Sequence, residues 1–361
     1  MNLRSQFIRS PDDPQLDELC AKLRELAGPL DVSDAWPAEQ LRLCGEYGVY
    51  AWFMPVEWSG QAWNDVDVIR GYLKLSAACL TTTFILTQRT GGCLRIAASE
   101  NDTARSRWLP GLVSGEQFST VGISHLTTSR RHLSTPVLRA EQTADGFLLD
   151  GYSPWVTGGD YADVIVTGAT LNDGTQILVA LPTDLPGVKV PPPPKLVGLS
   201  ASHTGEVHCH RVSIGRECLL AGPIENVMQH GRGAGTGGLQ TSTLAIGLAS
   251  AAVNYLRDES QRRPEFTEIA NSFQEEHAQL EADLLALAKG HANCSNEDVR
   301  KRANSLVLRS TQAALATAKG TGYVVGHHAA RWCREALFFL VWSCPQPVIA
   351  ANLCELASLG D

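Results

Sequence analysis

Trp155 and Thr157 stand two residues apart in Trp155-Val156-Thr157, a short run bounded by the turn signals Asp150-Gly151 and Gly158-Gly159. Alternation along a strand places residues i and i+2 on one face, so an indole lies beside a short hydroxyl. A planar redox ring needs those two things: a flat surface to lie against and a hydrogen bond to a ring atom. His208 and His210 alternate onto one strand face with Cys209 on the other. A metal would require a third ligand, which the sequence does not obviously supply, so this pair reads as structural. The ten cysteines sit singly with no close CxxC pair, which argues for reduced thiols rather than a disulfide framework.

The run 145–163, Asp-Gly-Phe-Leu-Leu-Asp-Gly-Tyr-Ser-Pro-Trp-Val-Thr-Gly-Gly-Asp-Tyr-Ala-Asp, resembles the "dGy.lnG.K.wIT.g..Ad" signature of the acyl-CoA dehydrogenase family of flavoproteins. In that family the tryptophan-x-threonine strand flanks the FAD isoalloxazine, a role the resemblance extends to Trp155 and Thr157. Arg107-Trp-Leu-Pro-Gly-Leu-Val-Ser-Gly-Glu116 is similar to the family's "wLp.la.Ge" linker. Arg263 is followed by Phe266 and Gln274 at the family's spacing, which assigns Arg263 to the FAD pyrophosphate and Phe266 and Gln274 to the adenosine half. A guanidinium fork matches diphosphate oxygens in bidentate fashion. Lys319-Gly320-Thr321-Gly322-Tyr323 is similar to the family's "GGxG[FY]" turn, so Gly320 and Gly322 are expected beside the cofactor of a partner subunit. The resemblance thus implies a homodimer or homotetramer.

Two departures matter. Where the family carries "TEPgaGSD", this chain has Ser124-His125-Leu126-Thr127-Thr128-Ser129-Arg130. Ser124 stands for the threonine hydroxyl, and Thr127, Thr128 and Ser129 are candidate phosphate contacts. The family's catalytic glutamate falls at Ser343, which cannot serve as a general base at neutral pH without a partner. The alternative glutamate position falls in Gly235-Thr236-Gly237-Gly238-Leu239, which has no carboxylate. Glu335 matches a different family position. Ser343 and His125 remain as catalytic candidates, with Ser124, His125 and Ser343 lining one pocket; His327-His328 follow the glycine turn.

These residues need elements to hold them. Leu16, Leu19, Leu23 and Leu26 recur at helical spacing, and so do Val68, Ile69, Tyr72, Leu73 and Leu75. Ser33-Asp34 is expected to cap the helix that Pro37 opens. Asp145-Gly146 between apolar runs predicts a hairpin, and Asp150-Gly151 a second turn. Val164–Thr170, Gln176–Pro182 and Val207–Ile214 read as strands, with Pro191–Pro194 a stiff surface connection. Leu239–Leu256, Phe266–Gly290 and a helix capped at Ser295 return to helical periodicity, with Gly247 marking a close crossing. The expected architecture is α+β and acyl-CoA dehydrogenase-like: an N-terminal helical domain (1–118), a middle antiparallel β-barrel or sandwich (119–222) and a C-terminal four-helix bundle (223–361).

A chain of 361 residues suffices for such a three-part core. Net charge −8 gives no electrostatic case for nucleic acid or anionic membrane. The longest apolar run, Ala336–Trp342, is too short to span a bilayer. A start without an apolar core, with the single cysteines, leads us to expect a cytoplasmic protein. The expected function is FAD-dependent oxidation of CH–CH in an acyl-CoA or related thioester, a small-molecule substrate, with an electron-transfer partner and a non-standard active site. A flavin-dependent monooxygenase on the same fold, or a non-catalytic descendant that keeps it for binding, are the alternatives.

Overall fold

A computed structural model describes residues 7–127, 135–230, 238–291 and 293–359. Five helices come first: α1 (Pro14–Ser33), α2 (Ala38–Glu46), α3 (Asp65–Ala78), α4 (Leu80–Ala97) and α5 (Asp102–Ser114). Pro14 opens α1, and Leu16, Leu19 and Leu23 carry its buried stripe. Side chains cap two of the others: Asn64 accepts from the Asp67 amide and Asn101 from that of Ala104. Asp34 does not cap α2 as expected. It closes α1 in the left-handed region, φ 52°, with its amide on the Leu30 carbonyl, a conformation aspartate tolerates better than most residues.

The middle unit is one eight-stranded sheet: β1 (Ser119–Gly122), β2 (Leu138–Gln142), β3 (Gly146–Thr157), β4 (Val164–Thr170), β5 (Gln176–Pro182), β6 (Val188–Lys189), β7 (Thr204–Gly215) and β8 (Leu219–Ile224). The spatial order is β6-β7-β3-β2-β4-β5-β8, with β1 beside β4. The sheet is mixed rather than wholly antiparallel, since β1 runs parallel to β4 and touches it from Ser119 to Gly122. The β2–β3 hairpin intervenes between them and supplies the long return that parallel neighbours require. One short helix, α6 (Ser124–Thr127), follows β1 directly.

Strand β4 is buried along almost its whole length. Ile165 and Ala169 face a β core with Phe147, Leu149, Val156, Val179 and Ile214. Val164 and Val166 face Cys93, Ile96, Trp108 and Leu112 on α4 and α5. This two-sided burial fixes the sheet against the helices and explains the unbroken apolar run of β4. Asp150-Gly151 is not a turn. β3 passes through it with an irregularity after Leu149, because Gly151 adopts φ +127° and a side chain there would sit 2.1 Å from the Val137 carbonyl.

The last third comprises α7 (Leu239–Arg262), α8 (Thr267–Ala288), α9 (Asn296–Gly322), α10 (His328–Ala336) and α11 (Gln346–Leu356). The three long helices pack around Leu244, Ile246, Leu280, Leu284, Leu306 and Val307. α10 and α11, joined through a 3-10 turn at Leu337–Leu340, take the fourth place. Ser295 and Asp298 form a reciprocal capping box at the start of α9. Near its end Lys319 leaves helical geometry (φ 55°, ψ −150°). Gly247 permits α7 to cross α3, since an added Cβ would stand 2.6 Å from Ser76 Cβ. Ser76 Oγ donates to the Leu244 carbonyl at 2.7 Å across the same crossing. Among the described residues no helix is long and apolar enough to cross a membrane.

Candidate functional site

The β1–α6 corner and strand β3 hold the first group of expected site residues. Between Ser153 and Val156 the register with β7 slips by one residue, so Ser153 pairs with Val207 and Val156 with Gly205. Ser153 and Val156 therefore point the same way, and both approach Gly122. Val156 fills the β core, while Trp155 and Thr157 flank it. Trp155 is 48% exposed and Thr157 only 3%. The Thr157 hydroxyl lies 2.9 Å from that of Thr204, which lies 2.8 Å from Ser202 Oγ. An exposed indole thus stands two residues from a buried threonine whose hydroxyl belongs to the chain Thr157–Thr204–Ser202.

Ser124 Oγ is buried and has no hydrogen-bond partner, and the same holds for Ser153 Oγ and Thr120 Oγ1. An unsatisfied buried hydroxyl costs about 1–3 kcal/mol, so each is a place where a ligand atom would be welcome. His125 is buried, with Nε2 2.8 Å from the Gly168 carbonyl. Facing a carbonyl, Nε2 must carry the proton, which leaves Nδ1 as an acceptor without a partner. Burial lowers the pKa of this imidazole, partly opposed by the Gly168 contact, so the ring is neutral at pH 7. Thr128, Ser129 and Arg130, and the segment Gly235-Thr236-Gly237, lie outside the described residues.

The second group gathers where α7 and α9 end. Arg263 Nη2 donates to Glu259 Oε2 at 2.6 Å and to the Thr317 carbonyl at 2.8 Å. Its guanidinium stands over the Phe266 ring, 4.6 Å from the centroid. Gly320 is exposed, whereas Gly322 is buried beside Leu315 and Ala318. Gln274 faces solvent and lines a groove between α7 and α8 of about 420 Å³ with Ser250, Asn254 and His277. Arg263 is therefore held against α9 at Thr317, just before the glycine turn, and its guanidinium already has a carboxylate.

Ser343 follows the Leu337–Leu340 turn with φ +47° and is half-buried. Trp342 beside it stacks on Phe338 (centroids 4.9 Å apart) and meets Phe84 of α4 edge-on at 5.1 Å. Glu335 is buried against Arg331, Oε1 to Nε 3.7 Å. Burial pushes its carboxyl up to about 7, against the pull of Arg331. His327 accepts the Ala329 amide and caps α10, with His328 stacked on it at 4.2 Å. Burial, with His327 and Arg331 nearby, depresses His328 to about 4. His208 sits between Tyr152 and His210 and contacts Glu206 Oε2 at 2.9 Å.

Residues 17–116 match the model of the acyl-CoA dehydrogenase N-terminal domain. A probable acyl-CoA dehydrogenase of Bacillus subtilis (strain 168) is 24% identical over 85% of this chain and 86% of its own length. Glutaryl-CoA dehydrogenase of Desulfococcus multivorans is 24% identical over 93% of this chain and 91% of its own. Along most of its length the chain is similar to acyl-CoA dehydrogenases. Among solved structures, dibenzothiophene monooxygenase from Paenibacillus sp. A11-2, in its FMN-bound form, superposes with a TM-score of 0.79 at 15% identity. That superposition covers 95% of this chain and 97% of the other, a likeness of fold.

Sequence reasoning passed over Glu259 and the aromatic group Phe84, Phe338 and Trp342. Glu259 was legible as the i−4 neighbour of Arg263, the favourable orientation for a helical ion pair. The aromatic group was not, because Phe84 is more than 250 positions from Phe338 and only the fold joins them.

Proposed function

We propose that the chain is a flavin-dependent oxidoreductase acting on an acyl thioester such as an acyl-CoA. The observation that carries this reading is the buried, unpartnered Ser124 hydroxyl on α6, which packs against β3, the strand that bears the open Trp155 indole. Trp155 offers one face to a flat ring, the Thr157 hydroxyl stays oriented through Thr204, and Ser124 supplies a further hydrogen bond. FAD is the flavin that the superfamily resemblance implies. When bound, a flavin supplies the two-electron acceptor. The protein's part is to hold the substrate Cα and Cβ against it and to take a proton. The resemblance sets Ser343 at the position of the usual carboxylate, and His125 carries a neutral imidazole whose Nδ1 lone pair is open. A second copy is proposed to cover the turn Tyr323-Val324-Val325, where the side chains are 82%, 60% and 77% exposed. Such a run of uncovered apolar residues is typical of an interface.

One observation favours a second reading, oxygenation of a small substrate by reduced flavin. The resemblance sets Ser343 where the dehydrogenases carry a carboxylate, and the fold also matches a monooxygenase. Anaerobic addition of an acyl-CoA panel separates the two. Bleaching of the flavin is expected for the dehydrogenase. Bleaching by none of them, with oxygen uptake driven by reduced flavin, would establish the monooxygenase instead.

A further inference from the structure

The turn that leads into β7 is held in an unfavourable shape. Leu199 and His203 both adopt the left-handed region, with φ 63° and 47°, a conformation that L-residues other than glycine take only at a cost. Between them the 3-10 turn Ser200–Ser202 sets the Ser202 hydroxyl 2.8 Å from Thr204 Oγ1, and Thr204 pairs with Thr157 in the β3–β7 register. The Gly158 amide donates to the carbonyls of both Ser202 and His203 at 3.0 Å. His203 therefore stands between the two residues that hold the Thr157 hydroxyl in place.

Its side chain is fastened at both ends. Nδ1 lies 2.9 Å from Asp160 Oδ2, and Nε2 lies 3.2 Å from the Asp34 carbonyl at the end of α1. Both ring nitrogens face acceptors. A neutral imidazole has one N–H and can donate to only one of them, whereas the imidazolium donates to both. The titratable groups that the contacts place around the ring are Asp160, Asp34, Lys195 and Tyr161. Lys195 Nζ already holds the Asp34 carboxylate at 2.7 Å, which leaves the Asp160 carboxylate to favour the charged ring. Trp36 and Tyr161, stacked on each other at 4.4 Å, meet the imidazole edge-on at 5.9 and 5.3 Å. Burial and Asp160 raise the Tyr161 phenol above its ordinary value, so it stays uncharged. The His203 side chain is only 18% exposed, so both bonds are partly sheltered from water.

We propose that His203 is a positioning residue for the surface that receives the flavin: as imidazolium it ties Asp160 to the end of α1 and so keeps Thr204, and through it Thr157, in place. This rests on the flavin reading given above. The surface loosens as pH rises and the ring gives up its second proton. By linkage, flavin binding and protonation of His203 favour one another.

Titration of flavin-free protein with FAD from about pH 5.5 to 8, where a histidine changes charge, tests the proposal. FAD is the probe because a phosphomonoester such as that of FMN itself titrates near about pH 6. Wild-type affinity is expected to fall about three- to fivefold across the range, up to one net hydrogen bond. In His203→Asn, which tolerates the left-handed turn but has no proton to lose, affinity should stay within about twofold. In Asp160→Asn the midpoint should move to lower pH, because the carboxylate that favours the imidazolium is gone. A merely structural role would weaken binding at every pH and leave the midpoint where it was. His125 and Glu335 are common to all three proteins, so their titration drops out of the comparison. A wild-type profile without slope, or a slope that survives in a folded His203→Asn, overturns the proposal and leaves the flavin reading intact. Should His203→Asn not fold, the midpoint of Asp160→Asn decides. FAD binding at no pH is a distinct result, which removes the flavin reading and the positioning role with it.

Discussion

At the scale of single residues, the account turns on polar groups that the fold buries and leaves without partners. Ser124→Ala separates a ligand site from a packing fault, because the two properties move oppositely. Removing an unsatisfied hydroxyl should raise the melting temperature of the flavin-free protein, while flavin affinity falls by about tenfold through the lost hydrogen bond. Thermal melts and flavin titration of the same preparation check both. Glu335 makes a pH prediction. Its folded pKa stands near 7, above the ordinary 4.5, so between these values the unfolded chain loses the proton first. Stability should therefore decline as pH rises from about 4.5 to 7, by up to about 3 kcal/mol. Glu335→Gln should abolish that decline in urea melts taken across the range. Trp155 and Thr157 were singled out by residue type and spacing, and Ser124 by the family resemblance. The state of Ser124 Oγ and the engagement of Arg263 were not, since both depend on which atoms fold back upon them.

At the scale of elements, most helices and the strands β4 and β5 follow the apolar periodicity of the sequence. The irregularities in β3 escaped it. Asp150-Gly151 carries a turn's composition, yet β7 pairs across it and holds the strand extended. Asp34 likewise has a capping side chain but closes α1 instead of opening α2. Asn101 has a double role. It caps α5, and its Nδ2 donates to the carbonyls of Arg216, Glu217 and Leu219, tying that helix to the segment leading into β8. Asn101→Ala should cost about 2–3 kcal/mol, against about 1 for Asn64→Ala, which loses a cap alone. Chemical denaturation of the two variants gives the comparison. Gly247→Ala should destabilise despite alanine's better helix propensity, because Ser76 and the Leu73 carbonyl occupy the space of the new Cβ.

At the scale of the molecule, the succession of helices, sheet and helices was readable because each third changes its apolar period, from 3.6 to 2 and back. How the thirds meet was not readable, and the Ser76–Leu244 hydrogen bond between α3 and α7 is one such meeting. The exposed Tyr323-Val324-Val325 turn belongs to this scale too. Val325→Asp should shift the protein toward monomer in sedimentation velocity, because a desolvated carboxylate in an apolar interface is costly. Should the flavin lie between subunits, the same variant would lose its colour. The central claim is that an indole and two hydroxyls of the β-unit form the wall for a flavin ring. The visible absorption spectrum of the purified wild type, repeated after dialysis with excess FMN and FAD, tests it most directly. Flavin bands that persist through desalting in the wild type and weaken in Trp155→Ala are the predicted result; a colourless protein that retains neither flavin would contradict it.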